Sequence, residues 1–283
     1  MSNEEARIPT AEQDDQPLSD EELRRQLVAE MDELADRLKT AEPAYEPPPF
    51  SPKRLVGFVE ETPSMNFYNS ALVAVNGEIL FAYRKLNLPN YGVFEERKIF
   101  SGGKHVRVFK YRGLTIAPFV CNDLWHPSLP YLGITQKADI FITLFNSSQG
   151  SMGDEFSNIE SWNIINRFYS RVFGVYNLCA NRVGCEAFED MRSDEGSLLA
   201  EPSMVDDNPY RFWGGSEIIN PFGQPIVTAA LYDPDAIYAD LERDLVRKKR
   251  ILLPYLRNDD PYFTHRELGR ILYEKSIPEI DNV

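Results

Sequence analysis

Three apolar runs do most to limit what this chain can become: Leu114 to Val120, Asp139 to Phe145, and Gly174 to Ala180. The first two are near-continuous rather than alternating, the pattern of strands covered on both faces. Between the second and third, Ile159, Trp162, Ile165, Phe168 or Tyr169, and Val172 recur at helical spacing, so this stretch reads as strand, helix, strand. Leu55 to Val59 is an earlier strand. Ala71 to Val75 and Glu78 to Tyr83 flank Asn76-Gly77, a dipeptide suited to a two-residue type I′ hairpin. Ser216 to Ile219, the turn Pro221-Phe222-Gly223 and Pro225 to Leu231 make a second hairpin. Ile237 to Leu241 alternates like a further strand, and Thr264 to Glu274 reads as a short helix. Helices alternating with buried strands, plus hairpins, predict an α/β layered fold with a mixed sheet.

Upstream the texture differs. Residues 1–18 lack apolar periodicity and read as a flexible acidic lead. Ser19 with Glu22 is a capping-box pattern, and Leu23, Leu27, Met31, Leu34 and Leu38 follow as one stripe of an amphipathic helix. Five prolines from Pro43 to Pro52 form an extended connector. The expected organisation is therefore a lead (1–18), one domain (19–275) containing the connector (43–52), and a tail (276–283). No internal repeat is visible.

Charge narrows the function classes. Thirty Lys plus Arg against forty-four Asp plus Glu give a net charge of −14, of which residues 1–42 contribute −8 through thirteen acids and five bases. Such a chain repels a phosphate backbone, so nucleic acid is excluded as an expected partner. No stretch reaches the roughly 18 to 20 apolar residues of a membrane span, and the start is polar and acidic, unlike a signal peptide. Cys121, Cys179 and Cys185 are too few for a disulfide scaffold, and none are spaced as zinc ligands. A cytoplasmic protein is expected.

Cys121 directly follows the run Leu114 to Val120 and precedes the turn-prone Asn122-Asp123-Leu124-Trp125-His126-Pro127. The carboxyl end of a buried strand in an open α/β sheet is where such folds place ligands, so Cys121 is either a nucleophile or an inert buried cysteine. Cys179 and Cys185 read as packing. Lys85 ends the hairpin's second strand, and it is either a solvated edge charge or a cation that favours a Cys121 thiolate and stabilises an oxyanion. Glu96 is a surface charge or the carboxylate that orients that lysine. His126 sits in a turn before proline and is a weak candidate for a substrate contact; His105 and His265 read as surface residues. Trp162, Phe168 and Tyr169 read as core. Asn146, in Phe145-Asn146-Ser147-Ser148 at a strand end, is a candidate pocket residue. Glu189 to Arg211 reads as a mobile loop near the site.

Together these segments resemble the nitrilase, or carbon-nitrogen hydrolase, superfamily. The ordered matches are Val56-Gly57-Phe58-Val59-Glu60, Tyr68-Asn69-Ser70-Ala71, the Asn76-Gly77 hairpin, Tyr83-Arg84-Lys85 through Leu88-Pro89 to Phe94-Glu95-Glu96 and Phe100, and Cys121-Asn122-Asp123-Leu124-Trp125-His126-Pro127. They continue through Ala180-Asn181-Arg182-Val183-Gly184 and Trp213-Gly214-Gly215-Ser216 to Asn220-Pro221-Phe222-Gly223, covering roughly residues 55–265. The resemblance implies an αββα sandwich that pairs into homodimers or larger assemblies. It also implies hydrolysis of small non-peptide amides or carbamoyl groups without metal or organic cofactor. By motif, Cys121 would be the nucleophile, Lys85 the cation at the tetrahedral intermediate, Glu96 the carboxylate holding the lysine, and the Asn122 N–H part of the oxyanion hole. Attack by the thiolate would form a thioester and release ammonia or an amine, and water would then release the acid.

One element of that pattern is missing. The family's general-base glutamate lies in a Pro-Glu dipeptide after an early buried strand, whereas the only Pro-Glu pair here is Pro278-Glu279. Glu12, Glu42 and Glu46 have no strand to position them. Either the chain is an N-terminally incomplete version of a longer protein, the favoured expectation, or it has lost, replaced or borrowed the base and is a catalytically impaired or partner-dependent relative. The Cys-x-Asp-Leu-Trp-x-Pro form resembles the amidase branch and the glutaminase portion of NAD synthetases more than true nitrilases. An acyltransferase outcome stays open.

Overall fold

The computed structural model describes residues 53–75, 78–92, 94–149, 158–186 and 210–274. The predicted helix at 19–39, the proline connector, the Asn76-Gly77 turn, most of the 189–211 loop and the tail lie outside the described residues.

Three strands open the structure: β1 (Lys53–Glu61), β2 (Phe67–Val75) and β3 (Glu78–Arg84), an antiparallel sheet in the order β1-β2-β3. Val75 pairs with Glu78, so the hairpin turns through two residues, as the Asn-Gly dipeptide predicts. Ser70 to Ala74 of the central strand β2 are all buried.

A second sheet holds six described strands in the order β12-β11-β8-β6-β5-β4. These are β4 (Phe109–Tyr111), β5 (Leu114–Val120), β6 (Ile140–Phe145), β8 (Tyr176–Asn181), β11 (Glu217–Ile219) and β12 (Pro225–Thr228). The three apolar runs become β5, β6 and β8, which run parallel to one another, while the flanking pairs are antiparallel. Parallel neighbours require crossovers. A 3-10 turn (Cys121–Trp125) and α2 (Ser128–Thr135) carry β5 to β6, and α3 (Asn158–Phe173) leads into β8; α1 (Glu96–Ile99) lies earlier, in the connection after β3. A small third sheet joins β7 (Ser148–Gln149), β10 (Tyr210–Trp213) and β9 (Val183–Glu186).

The first two sheets pack face to face. Phe81 and Phe109 rings meet edge-on with centroids 5.5 Å apart. The outer helices fill the other face of the second sheet: Phe119 packs on Phe141, Phe141 on Phe173, and Trp162 stacks on Phe145 at 4.3 Å. Gly133 of α2 is required by this closeness, since a Cβ there would lie 3.0 Å from the Phe119 ring. The layers are those of an α/β sandwich. Trp162 and Tyr169 are core residues as expected, but Phe168 is exposed, because Tyr169 takes the inward position on the helix.

Two expectations need correction. Ile237 to Leu241 forms no strand: burial alternates along it, with Tyr238 exposed, but no ladder partner is assigned to it. Its alternation reflects an extended segment with one side against the protein, since period-two burial does not itself create hydrogen-bond pairing. Immediately after it comes a helix the sequence reading left unassigned, α4 (Arg243–Leu252), followed by α5 (Tyr255–Asn258) and α6 (Pro261–Tyr273). Basic residues dominate α4 and mask its apolar stripe; only Val246 and Lys249 are buried, Val246 against Ile116, Ile140 and Tyr176. Asp260 caps α6 by accepting from the Tyr262 and Phe263 N–H groups at 3.0 Å. Among the described residues, no helix is long and apolar enough to cross a membrane.

Candidate active site

Cys121 occupies the junction where β5 ends and the 3-10 turn begins, with φ +45, a left-handed backbone that side chains rarely adopt. Such a bend aims a side chain off the sheet end, and its cost persists only where surrounding contacts enforce it. The enforcing group is Asp123, which is fully buried. One of its oxygens accepts from the Leu86 N–H at 3.0 Å and the Asn87 N–H at 2.9 Å; the other accepts from Tyr83 Oη at 3.0 Å and the Val120 N–H at 3.2 Å. A single carboxylate therefore pins the Cys121 turn of one sheet to the end of β3 in the other. Burial raises the Asp123 pKa despite these four donors, and burial beside Asp123 pushes Tyr83 well above the ordinary phenol range.

Lys85 lies directly after β3, held through its backbone: its N–H donates to Asn69 O at 2.8 Å and its carbonyl accepts from the Gly103 N–H at 2.8 Å. Its side chain is 1% exposed, and Nζ donates to both Glu96 oxygens, at 2.6 and 2.8 Å. Glu96 opens α1, with its N–H donating to Pro89 O at 3.1 Å. A lysine this buried requires a partner. The solvated edge-charge reading of Lys85 is thus excluded.

The other expected residues also converge. Asn122 is buried; its Oδ1 accepts from Tyr91 Oη at 2.7 Å and its Nδ2 donates to Asn87 O at 3.2 Å. Its N–H falls in the first turn of the 3-10 segment, where N–H groups lack intrahelical acceptors. Asn146 follows β6, the parallel neighbour of β5, and contributes its backbone N–H to the Cys121 sulfur while its side chain is exposed. Nearby, Asn181 at the end of β8 accepts from the Ser147 N–H at 2.9 Å and donates to Gly214 O at 3.0 Å, tying that strand end to the loop after β6. His126, His105 and His265 are exposed. Cys179 is buried as expected, but Cys185 is exposed on β9 and is not packing.

Burial raises the Cys121 thiol above its ordinary value; Lys85 and the Asn146 N–H pull it back, and Glu96 and Asp123 push it further up. A shift in this direction favours the protonated thiol, from which attack on a carbonyl needs a base to take the proton. Both carboxylates acting on the sulfur are committed, Glu96 to Lys85 and Asp123 to its four donors. Burial also raises Tyr91, helped by Cys121 and Glu96, which places its phenol at the same site. Asp123, Tyr83 and Tyr91 were not singled out from sequence. For Asp123 the signal was its place two residues after Cys121; Tyr83 and Tyr91 look like ordinary strand and loop aromatics.

Residues 5–251 match the sequence pattern of the family described as carbon-nitrogen hydrolase, and the chain belongs to that family. Among its relatives, the glutamine-dependent NAD(+) synthetase of Acinetobacter baylyi is 27% identical over 196 residues, covering 69% of this chain and 31% of that protein. N-carbamoylputrescine amidase of Oryza sativa subsp. japonica is 24% identical over 196 residues, covering 69% and 61%. A 76-residue stretch is 42% identical to the Thermotoga maritima NAD(+) synthetase, 27% of this chain and 13% of that protein. The chain thus spans under a third of these synthetases and about three fifths of the amidase. Among solved structures, a carbon-nitrogen hydrolase from Helicobacter pylori superposes with a TM-score of 0.65 at 22% identity, covering 77% of this chain and 71% of that one. The amidase from Nesterenkonia sp. AN1 superposes with a TM-score of 0.56 at 20% identity, covering 76% and 68%. These two likenesses establish the fold: it is that of the nitrilase superfamily.

Proposed function

We propose that this chain carries the thiol chemistry of a hydrolase acting on a carbon-nitrogen bond in a small non-peptide amide or carbamoyl compound. The observation that carries this reading is the buried Lys85, held by both oxygens of Glu96 and acting electrostatically on Cys121 at the end of β5. Cys121 Sγ attacks the substrate carbon and forms the C–S bond as the carbonyl π pair moves to oxygen. Lys85 and the Asn122 N–H stabilise that oxyanion. Collapse expels ammonia or an amine, which takes a proton, and water cleaves the thioester to the acid. Glu96 holds the ammonium in place without taking part in bond making. A thiol of this kind has precedent in the Nesterenkonia amidase, whose active-site cysteine adds to acrylamide.

Glu96 and Asp123 are both engaged, so this reading requires another carboxylate to take the thiol's proton. That same fact favours a second reading, a catalytically impaired or partner-dependent protein, if no such carboxylate reaches the thiol. Ammonia release from glutamine, N-carbamoylputrescine and simple aliphatic amides separates the two. The first reading expects turnover that Cys121→Ala abolishes and that Lys85→Met lowers by about 100-fold or more, the scale of a lost oxyanion contact. No turnover on any of them, while iodoacetamide still alkylates Cys121, would establish the second.

A further inference from the structure

Four arginines converge on a cavity of about 690 Å³ lined by α4, α5 and Asp139, which precedes β6. Arg243, Arg247 and Arg250 follow one another at spacings of four and three along α4, so they share a helix face, and Arg257 comes from α5. Like charges at these spacings repel modestly, and a nearby anion offsets part of that repulsion. Asp139 supplies one. Its Oδ1 accepts from Arg250 Nη1 at 2.7 Å and its Oδ2 from the Thr115 N–H at 2.9 Å, while Arg250 Nη2 donates to Ala138 O at 2.6 Å. Arg250 is thereby neutralised and fixed. Arg243, Arg247 and Arg257 bring three further charges to the cavity, and among the described residues no carboxylate pairs with them.

The rest of the lining is apolar, including Ile251, Pro254 and Leu256. The Arg243 guanidinium lies over Gly113, its Nη1 3.3 Å from where a Cβ would sit, so a side chain there would crowd it. Arg243, Arg247 and Arg257 are exposed, and their guanidinium forks, without a carboxylate partner among the described residues, stand beside partly exposed apolar side chains in a chain of net charge −14.

We infer that this cavity binds a small polyanion carrying two or more phosphoryl groups. Arg243, Arg247 and Arg257 grip its oxygens through paired N–H donors, and the apolar wall covers any organic body attached to them. The concave shape favours a small molecule over an extended peptide, and the net charge of −14 disfavours a nucleic acid. The site is separate from the chemistry: Asp139 precedes β6 and Cys121 follows β5, its parallel neighbour, so they lie at opposite ends of the sheet, about 20 Å apart at some 3.3 Å per residue.

Calorimetric titration and thermal melting of the full chain with inorganic triphosphate and with ADP, each without metal at about 150 mM NaCl, test this. The expected result is saturable binding with a raised melting temperature, weakened about tenfold by Arg247→Gln, the cost of one charge-assisted contact, and lost in the triple variant R243Q/R247Q/R257Q. Equal affinity for both compounds identifies the phosphoryl chain as the recognised group, and tighter ADP binding identifies an attached organic body; either upholds the site. Should the triple variant fail to fold, the single Arg247→Gln comparison decides. Absence of saturable binding, affinity unchanged by Arg247→Gln, or binding confined to duplex DNA or to a synthetic peptide of residues 1–42 would overturn it.

Discussion

Cys121 and Asp123 divide the work of the site between them. With its thiol raised by burial, Cys121 reacts as thiolate only when pH supplies it, so the iodoacetamide rate should climb with a midpoint above the ordinary thiol value of about 8.5. Lys85→Met removes the largest downward pull and should move that midpoint higher; Glu96→Gln removes an upward push and should move it lower while still reducing turnover. Shifts in the reverse directions, read from alkylation rates across pH, would contradict the electrostatic assignment. Asp123→Asn tests the pin: an amide has one acceptor oxygen and brings N–H donors toward groups that are themselves donors. The expected outcome is a loss of roughly 2 kcal/mol in stability, as for a buried hydrogen-bonded group left partly unsatisfied, together with a fall in kcat larger than any change in KM. That Cys121, Lys85 and Glu96 come together could be read from sequence because the motif carries them in order. What Asp123 does could not, because its four donors come from both sheets and meet only in the folded chain.

At the scale of elements, the first sheet is laced through Glu60 of β1, which accepts from Ser70 Oγ of β2 at 2.8 Å and Arg84 Nε of β3 at 2.9 Å and also pairs with Arg84 Nη2. Burial alone would raise this carboxyl, but Arg84 and Ser70 outweigh it and the net shift is downward from 4.5. A lowered folded value stabilises the ionised form, so the contribution is complete above the ordinary carboxylate range and is lost as pH falls through the folded value. Glu60→Gln should destabilise the protein by about 1 kcal/mol or less at neutral pH, given the partly exposed arginine. The gap between variant and parent in denaturant midpoint should narrow as pH falls below the ordinary carboxylate range and close once pH is below the lowered folded value; a gap that does not narrow on acidification would mean that shape rather than charge matters. The apolar runs that became β5, β6 and β8 were plain in the sequence because burial on both faces leaves no competing pattern. Ile237 to Leu241 misled because alternation marks one-sided burial whether or not a neighbour strand exists. Helix α4 went unassigned because its surface is built from arginine and lysine, and its buried residues are too few to show a period.

At the scale of the whole molecule, two layers of sheet and the outer helices bring the ends of β3, β5 and β6 together around one thiol, and this convergence defines the candidate site. The resemblance to carbon-nitrogen hydrolases implied self-association, and α6 displays Phe263, Leu268, Ile271 and Leu272 to solvent in the single chain. Analytical ultracentrifugation is expected to give at least twice the 32.5 kDa of one chain; a monomer at micromolar concentration would contradict it. The central claim is that Cys121 forms an acyl bond to substrate, and acid-quenched intact-mass spectrometry after incubation with an amide or an activated ester tests it most directly. The account predicts a mass increase equal to the acyl group, mapped to the peptide holding Cys121 and absent from Cys121→Ala. An unmodified Cys121 that still alkylates with iodoacetamide, or an adduct on any other residue, would contradict it.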